Sequence, residues 1–134
     1  MPTNDQLARL FDDEALQDLF PAGKADQFFE ALLGDAEEGA FDISLGFEAA
    51  ADRELRFELQ LRRRPGKCLA CSLTYGLPQV FTRHPVIDLN GLVRSIDKRL
   101  DGSHTCTDWR LGRTREISPD LHAIPLHVTL SPKR

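Results

Sequence analysis

The order of hydrophobic periods along this chain predicts an α+β fold in two layers. Its antiparallel sheet has about four to five strands, with N-terminal helices and one later helix packed on one face. Three observations carry that reading. Residues 1–36 repeat apolar side chains at helical spacing, residues 41–61 switch to strict alternation, and a helical stretch at 88–101 is followed by alternation again. Strands joined by short turns pair antiparallel, and helices grouped around them cover one apolar face. The 134 residues make a single domain: a helical part over 1–36, antiparallel strands over 40–75, a helix over 88–101 and C-terminal strands over 108–131.

Leu7, Leu10 and Phe11 stand at i, i+3 and i+4 after a cap at Thr3 or Asn4. Asp12-Asp13-Glu14 then offers a fresh helix N-terminus, where carboxylates suit the positive end of the dipole. Leu16, Leu19 and Phe20 follow on one face, and both a kink and a separate second helix satisfy the pattern. Pro21 opens the next element, Ala25, Phe28, Phe29, Leu32 and Leu33 form its stripe, and Gly34 stands where a C′ residue belongs.

Phe41, Ile43, Leu45 and Phe47 alternate with Asp42, Ser44, Gly46 and Glu48; Ala51-Asp52-Arg53-Glu54 makes a turn. Leu55, Phe57, Leu59 and Leu61 then alternate with Arg56, Glu58, Gln60 and Arg62, so the pair forms a hairpin. A slip of one residue would expose every apolar side chain, so the eight share one buried face, with Leu92, Val93 and Ile96 covering part of the same core. Pro65-Gly66 turns the chain into a third strand, Cys68 to Thr74. From Tyr75 to Pro85, Gly76, Pro78 and Pro85 punctuate an apolar stretch, which reads as an ordered, partly buried loop. Asp88 caps a helix with Leu89, Leu92, Val93, Ile96 and Leu100 inward and Arg94, Lys98 and Arg99 outward, ended by Asp101-Gly102-Ser103. Trp109 to Leu111 is a short strand and Ser118-Pro119-Asp120 a capped turn. Ile124, Leu126, Val128 and Leu130 make the last strand, which Pro125 places at an edge or a bulge.

Hydrophobic content of 41% and charged content of 28% are ordinary for a globular chain. No run of eighteen apolar residues suggests a membrane span, and Met1 to Gln6 lacks the basic start of a secretory signal. Three cysteines is odd, which argues against a disulfide framework and for a reducing, cytoplasmic location. The formal charge of −4 conceals a split: residues 1–54 hold fourteen acidic and three basic side chains, residues 55–134 seven and fourteen. Such a basic half suits an anionic partner, but a sequence pI near 5.5 favours charges that interleave within the fold and makes nucleic acid an unexpected partner.

The residues able to do soft-ligand chemistry are Cys68, Cys71, His104 and Cys106. Converging, they would make a Cys3His zinc site. On a strand, however, Cys68 and Cys71 at i and i+3 face opposite sides, so no metal is expected, although His104 and Cys106 share a face. A redox dithiol wants a helix start just after Cys-x-x-Cys, and the next helical pattern begins only at Asp88. Cys71 with His84 or His127 makes a nucleophile–base pair on paper, but His127 has the outward parity of the last strand. The chain has no glycine-rich phosphate loop and no Gly-x-Ser-x-Gly, so an enzyme is not expected, nor any cofactor.

Arg62-Arg63-Arg64 with Lys67 is the densest basic cluster and, beside Pro65-Gly66, should project into solvent. The order of elements resembles that of type III secretion chaperones, also small and acidic, although their C-terminal helix has no counterpart here. The block from Pro65 to Phe81, PGKCLACSLTYGLPQVF, with Leu111-Gly112-Arg113-Thr114-Arg115-Glu116 later, is similar to a small family of uncharacterised bacterial proteins. That resemblance implies a bacterial protein and brings no activity with it. The expectation is a small cytoplasmic binding or adaptor protein, non-enzymatic, whose partner is an unknown protein or a small anionic ligand. Its surface would comprise Arg62, Arg63, Arg64, Tyr75, Leu77, Val80, Phe81 and His84. The alternative is a zinc-stabilised or thiol-active protein using Cys68, Cys71, His104 and Cys106.

Overall fold

Asp12 divides the N-terminal stretch into two helices, α1 (Asn4–Leu10) and α2 (Asp13–Leu19). Its carboxylate accepts the Ala15 N–H at 2.9 Å, satisfying a donor that the first turn of α2 leaves open. The third helix, α3 (Gly23–Leu33), closes on Gly34 at φ 83°, whose N–H returns to the Glu30 carbonyl. A left-handed backbone suits glycine because no Cβ meets the preceding carbonyl. The computed structural model describes residues 4–35, 39, 41–51, 53–67, 77–100 and 104–132. The expected third strand, Cys68 to Thr74, lies outside those residues.

Strands β1 (Phe41–Ala51) and β2 (Glu54–Arg63) pair antiparallel, with Ile43 opposite Leu61, Leu45 opposite Leu59 and Phe47 opposite Phe57. All eight apolar positions lie on one face, as the alternation requires. After Phe47 the register shifts by one, so that Ala50 rather than Ala49 stands opposite Leu55 and packs on the core. An inserted residue of this kind restores the inward face after a parity break.

Two helices follow, α4 (Leu77–Arg83) and α5 (Leu89–Arg99), then β3 (His104–Leu111), β4 (Arg115–Ser118) and β5 (Leu121–Pro132). The Asp88 carboxylate caps α5 by accepting the Gly91 N–H at 3.1 Å. The sheet runs β1-β2-β5-β3, wholly antiparallel, and β4 continues the β3 side of β5. Helices α1, α2 and α3 lie against β1 and α5 against β3, which makes the two-layer α+β architecture. Phe11 meets Phe47 and Phe57, Phe29 meets Phe41, and Leu92, Val93 and Ile96 enter the same core.

Two expectations are corrected. Residues 77–83 are helical rather than loop, so two later helices are present instead of one. Pro78 falls in the first turn of α4, where a missing N–H costs nothing, and Thr82 Oγ1 donates to its carbonyl at 2.7 Å. Pro125 does not mark an edge: β5 has β2 on one side and β3 with β4 on the other. The Pro125 carbonyl accepts the Gly112 N–H at 2.8 Å, so its ring nitrogen faces that same neighbour. There the neighbouring strand is interrupted, between Leu111 and Arg115. A Cβ on Gly112 would lie 3.3 Å from Pro125 Cγ, which explains a glycine at the gap.

Candidate functional site

The expected arginine cluster is dispersed. Arg62 is exposed on the outward face of β2. Arg63 pairs with Asp120 at 2.6 Å, binding the end of β2 to the β4–β5 turn. Arg64 does not project into solvent: its side chain is only 16% exposed, bonded to Asp26 at 2.7 Å and Asp42 at 3.1 Å. Its guanidinium also stands 5.4 Å from the centre of the Phe29 ring. Two carboxylates already neutralise and anchor this guanidinium, which makes it a poor seat for an anionic ligand.

The apolar part of that surface turns inward. Phe81 is fully buried and meets Phe28 edge to face at 5.3 Å, while Val80 packs against the core. His84 is half-buried with its ring 4.8 Å from that of Phe28, and its Nδ1 accepts the Val86 N–H at 3.2 Å. Leu77 begins α4, and Tyr75 lies outside the described residues. Amphipathic apolar residues between prolines were thus core, gathered on Phe28 of α3.

Of the four soft ligands, Cys68 and Cys71 lie outside the described residues, and His104 is the first residue of β3. Cys106 stands on the core-facing side of β3 opposite Leu130. Burial first, and the Asp97 carboxylate second, push its thiol up to about 12. A nucleophilic or redox thiol is held the other way, as thiolate. Among the described residues, no group of three His, Cys, Asp or Glu side chains is arranged to hold a metal ion. His127 does face outward, its Nδ1 2.6 Å from Glu54.

A different feature emerges at the β1 edge. Among the described residues, β1 has β2 on one side and no strand on the other. A groove of about 670 Å³ runs there, between the edge and the flank of α2. Pro21 and Ala22 are its exposed apolar residues, while the buried side chains of Ile43, Leu45, Leu16 and Phe20 form its floor. Ser44 and Gln60 come from the outer face, linked by a 3.4 Å hydrogen bond. Both faces contribute, so the groove wraps around the strand edge itself. Its charged lining residues are Asp13 and Asp18, both carboxylates. Asp18 lies 3.4 Å from Arg99 and stays largely exposed.

The opposite edge is built differently. It carries a register shift after Cys106, the interruption at Gly112, and Arg110, Arg113 and Arg115 along its length. Bulges, breaks and charges are the usual defences of an exposed edge. β1 shares part of these defences, a bulge after Phe47 and the carboxylates of Asp42 and Glu48, but its residues 43–46 are uncharged and in register. Nothing in the sequence announces this, because the alternation of β1 is equally that of an interior strand with one wet face.

Among the described residues, no helix is long and apolar enough to cross a membrane. No family model, curated protein or solved structure matches the chain.

Proposed function

We propose that this is a binding protein rather than an enzyme: an adaptor of the bacterial cytoplasm that holds an extended segment of a partner protein against β1. One observation carries the reading, the groove that opens beside residues 43–45 of the β1 edge, ahead of its bulge. Strand addition obtains its affinity from main-chain hydrogen bonds, and alternate side chains entering a groove supply the selectivity. The groove beside Pro21 and Ala22, floored by the buried Leu16, Phe20, Ile43 and Leu45, offers such a site, and among the described residues its charged side chains are those of Asp13 and Asp18, which suit binding better than nucleophilic chemistry. The odd cysteine count and the half-buried thiol of Cys106 support a reducing compartment.

Selection of a displayed random-peptide library against the full chain tests the proposal. Selected peptides should slow amide exchange in residues 42–46 and lose affinity for Ala22→Trp, which fills the groove from its exposed rim. Binders that protect other strands, with Ala22→Trp neutral, would refute it.

A further inference from the structure

We infer that the segment accepted at the β1 edge is basic: a short extended stretch in which lysine or arginine accompanies apolar residues. The inference rests on the docking reading above and names the chemistry of its partner.

An added strand sends alternate side chains to opposite faces. Those on the inner side meet Pro21 and Ala22 and, at the flank of α2, Asp13 and Asp18. Those on the outer side meet Ser44 and Gln60, whose hydroxyl and amide groups tolerate any polar residue. The selective wall therefore combines apolar surface with negative charge. Each carboxylate presents two oxygens able to accept several hydrogen bonds, so a single 3.4 Å contact from Arg99 leaves Asp18 with capacity for an incoming cation.

Charge also decides against other occupants. A second copy pairing through β1 would set Asp13, Asp18 and Glu48 of one protomer near the same residues of its partner. The whole region 1–54 carries fourteen acidic side chains against three basic ones, so self-pairing brings like charges together. An acidic peptide meets the same repulsion. A basic segment finds attraction at both the groove and its surroundings, which also speeds its encounter.

The test uses the full chain and three labelled peptides of identical length: a repeat of Thr-Val-Thr-Lys, which sends valine and lysine to one face, the same repeat with glutamate for lysine, and the lysine repeat with a central proline. Anisotropy gives affinity, and amide exchange gives location. The lysine peptide should bind at least about tenfold more tightly than the glutamate peptide, from two exposed charge contacts, and slow exchange in residues 42–46. Asp13→Asn with Asp18→Asn, or salt raised to about 0.5 M, should remove most of that preference. Asp108→Asn with Glu116→Gln makes the same change in net charge on the other side of the sheet and should leave the preference intact. The proline peptide should lose affinity, because it lacks a ladder donor.

Equal binding of lysine and glutamate peptides, with β1 protected, would overturn the basic class while the groove reading stands. Absence of β1 protection with every peptide would overturn the groove reading itself. Protection of β1 that grows with protein concentration alone would replace the basic segment by a second copy.

Discussion

Phe57 and Gln60 sit three residues apart on one strand and answer to different forces. Phe57 is fully buried between Phe11 at 5.1 Å and Phe47 at 5.4 Å, whereas Gln60 faces outward beside Ser44 and Glu58. Truncating Phe57 to Ala should cost about 3–5 kcal/mol, a large share of a small domain's stability. Gln60→Ala should stay within about 0.5 kcal/mol in the same chemical denaturation. Equal losses would refute the one-sided sheet. Cys106 makes a second test at this scale. Its thiol titrates from 9.0 in the open chain to about 12 in the fold, so folding favours the protonated form. That contribution is complete below pH 9 and is lost as pH rises toward 12. Stability should therefore fall across that window more steeply in the natural chain than in Cys106→Ala, as followed by urea midpoints. Identical slopes would show that the site does not hold the proton.

Among elements, α4 taught the most. Proline and glycine punctuation around residues 77–85 spoke for a loop, but Val80 and Phe81 needed a surface to cover, and Phe28 of α3 provides it. Seven residues are too few to hold a helix by propensity alone, so packing against α3 stabilises α4. Phe81→Ala should then destabilise the whole protein by about 3–5 kcal/mol, while Thr82→Ala, exposed, changes little. If Phe81 were instead part of a docking surface, its truncation would leave the denaturation midpoint in place. Pro125 illustrates the same dependence on neighbours. A proline in a strand pattern demands that one ladder position be missing, and the sequence cannot say on which side. The interruption of the facing strand at Gly112 satisfies it.

For the whole molecule, the charge split resolves partly as interleaving. Arg64 joins Asp26 and Asp42, Arg99 joins Asp18, and His127 reaches Glu54, each bringing the basic half onto the acidic one. Arg64 binds α3, β1 and the end of β2 at once. Arg64→Ala should cost about 1–2 kcal/mol, from partly exposed ion pairs and the Phe29 contact, against about 0.5 kcal/mol or less for Arg62→Ala. Equal small effects, by urea denaturation, would return the arginine cluster to the solvent. Residual acidity around α2 and β1 is what remains to meet a partner.

Periodicity by itself marked the N-terminal helical stretch, α3, the β1–β2 hairpin, α5 and β5, and their apolar faces, while the split of α1 from α2 at Asp12 came from the structure. It did so because the spacing of apolar side chains must match the repeat of the element that buries them. Only the tertiary structure decided that β1 lies at the edge while β5 lies inside, that residues 77–83 coil onto Phe28, and that Arg64 turns back onto Phe29. Strand order, and the partners a side chain finds, depend on contacts between residues distant in the chain. A local pattern is the same whichever neighbour it meets. The candidate groove arises from such a contact, α2 beside β1, and so no motif in the sequence marks it.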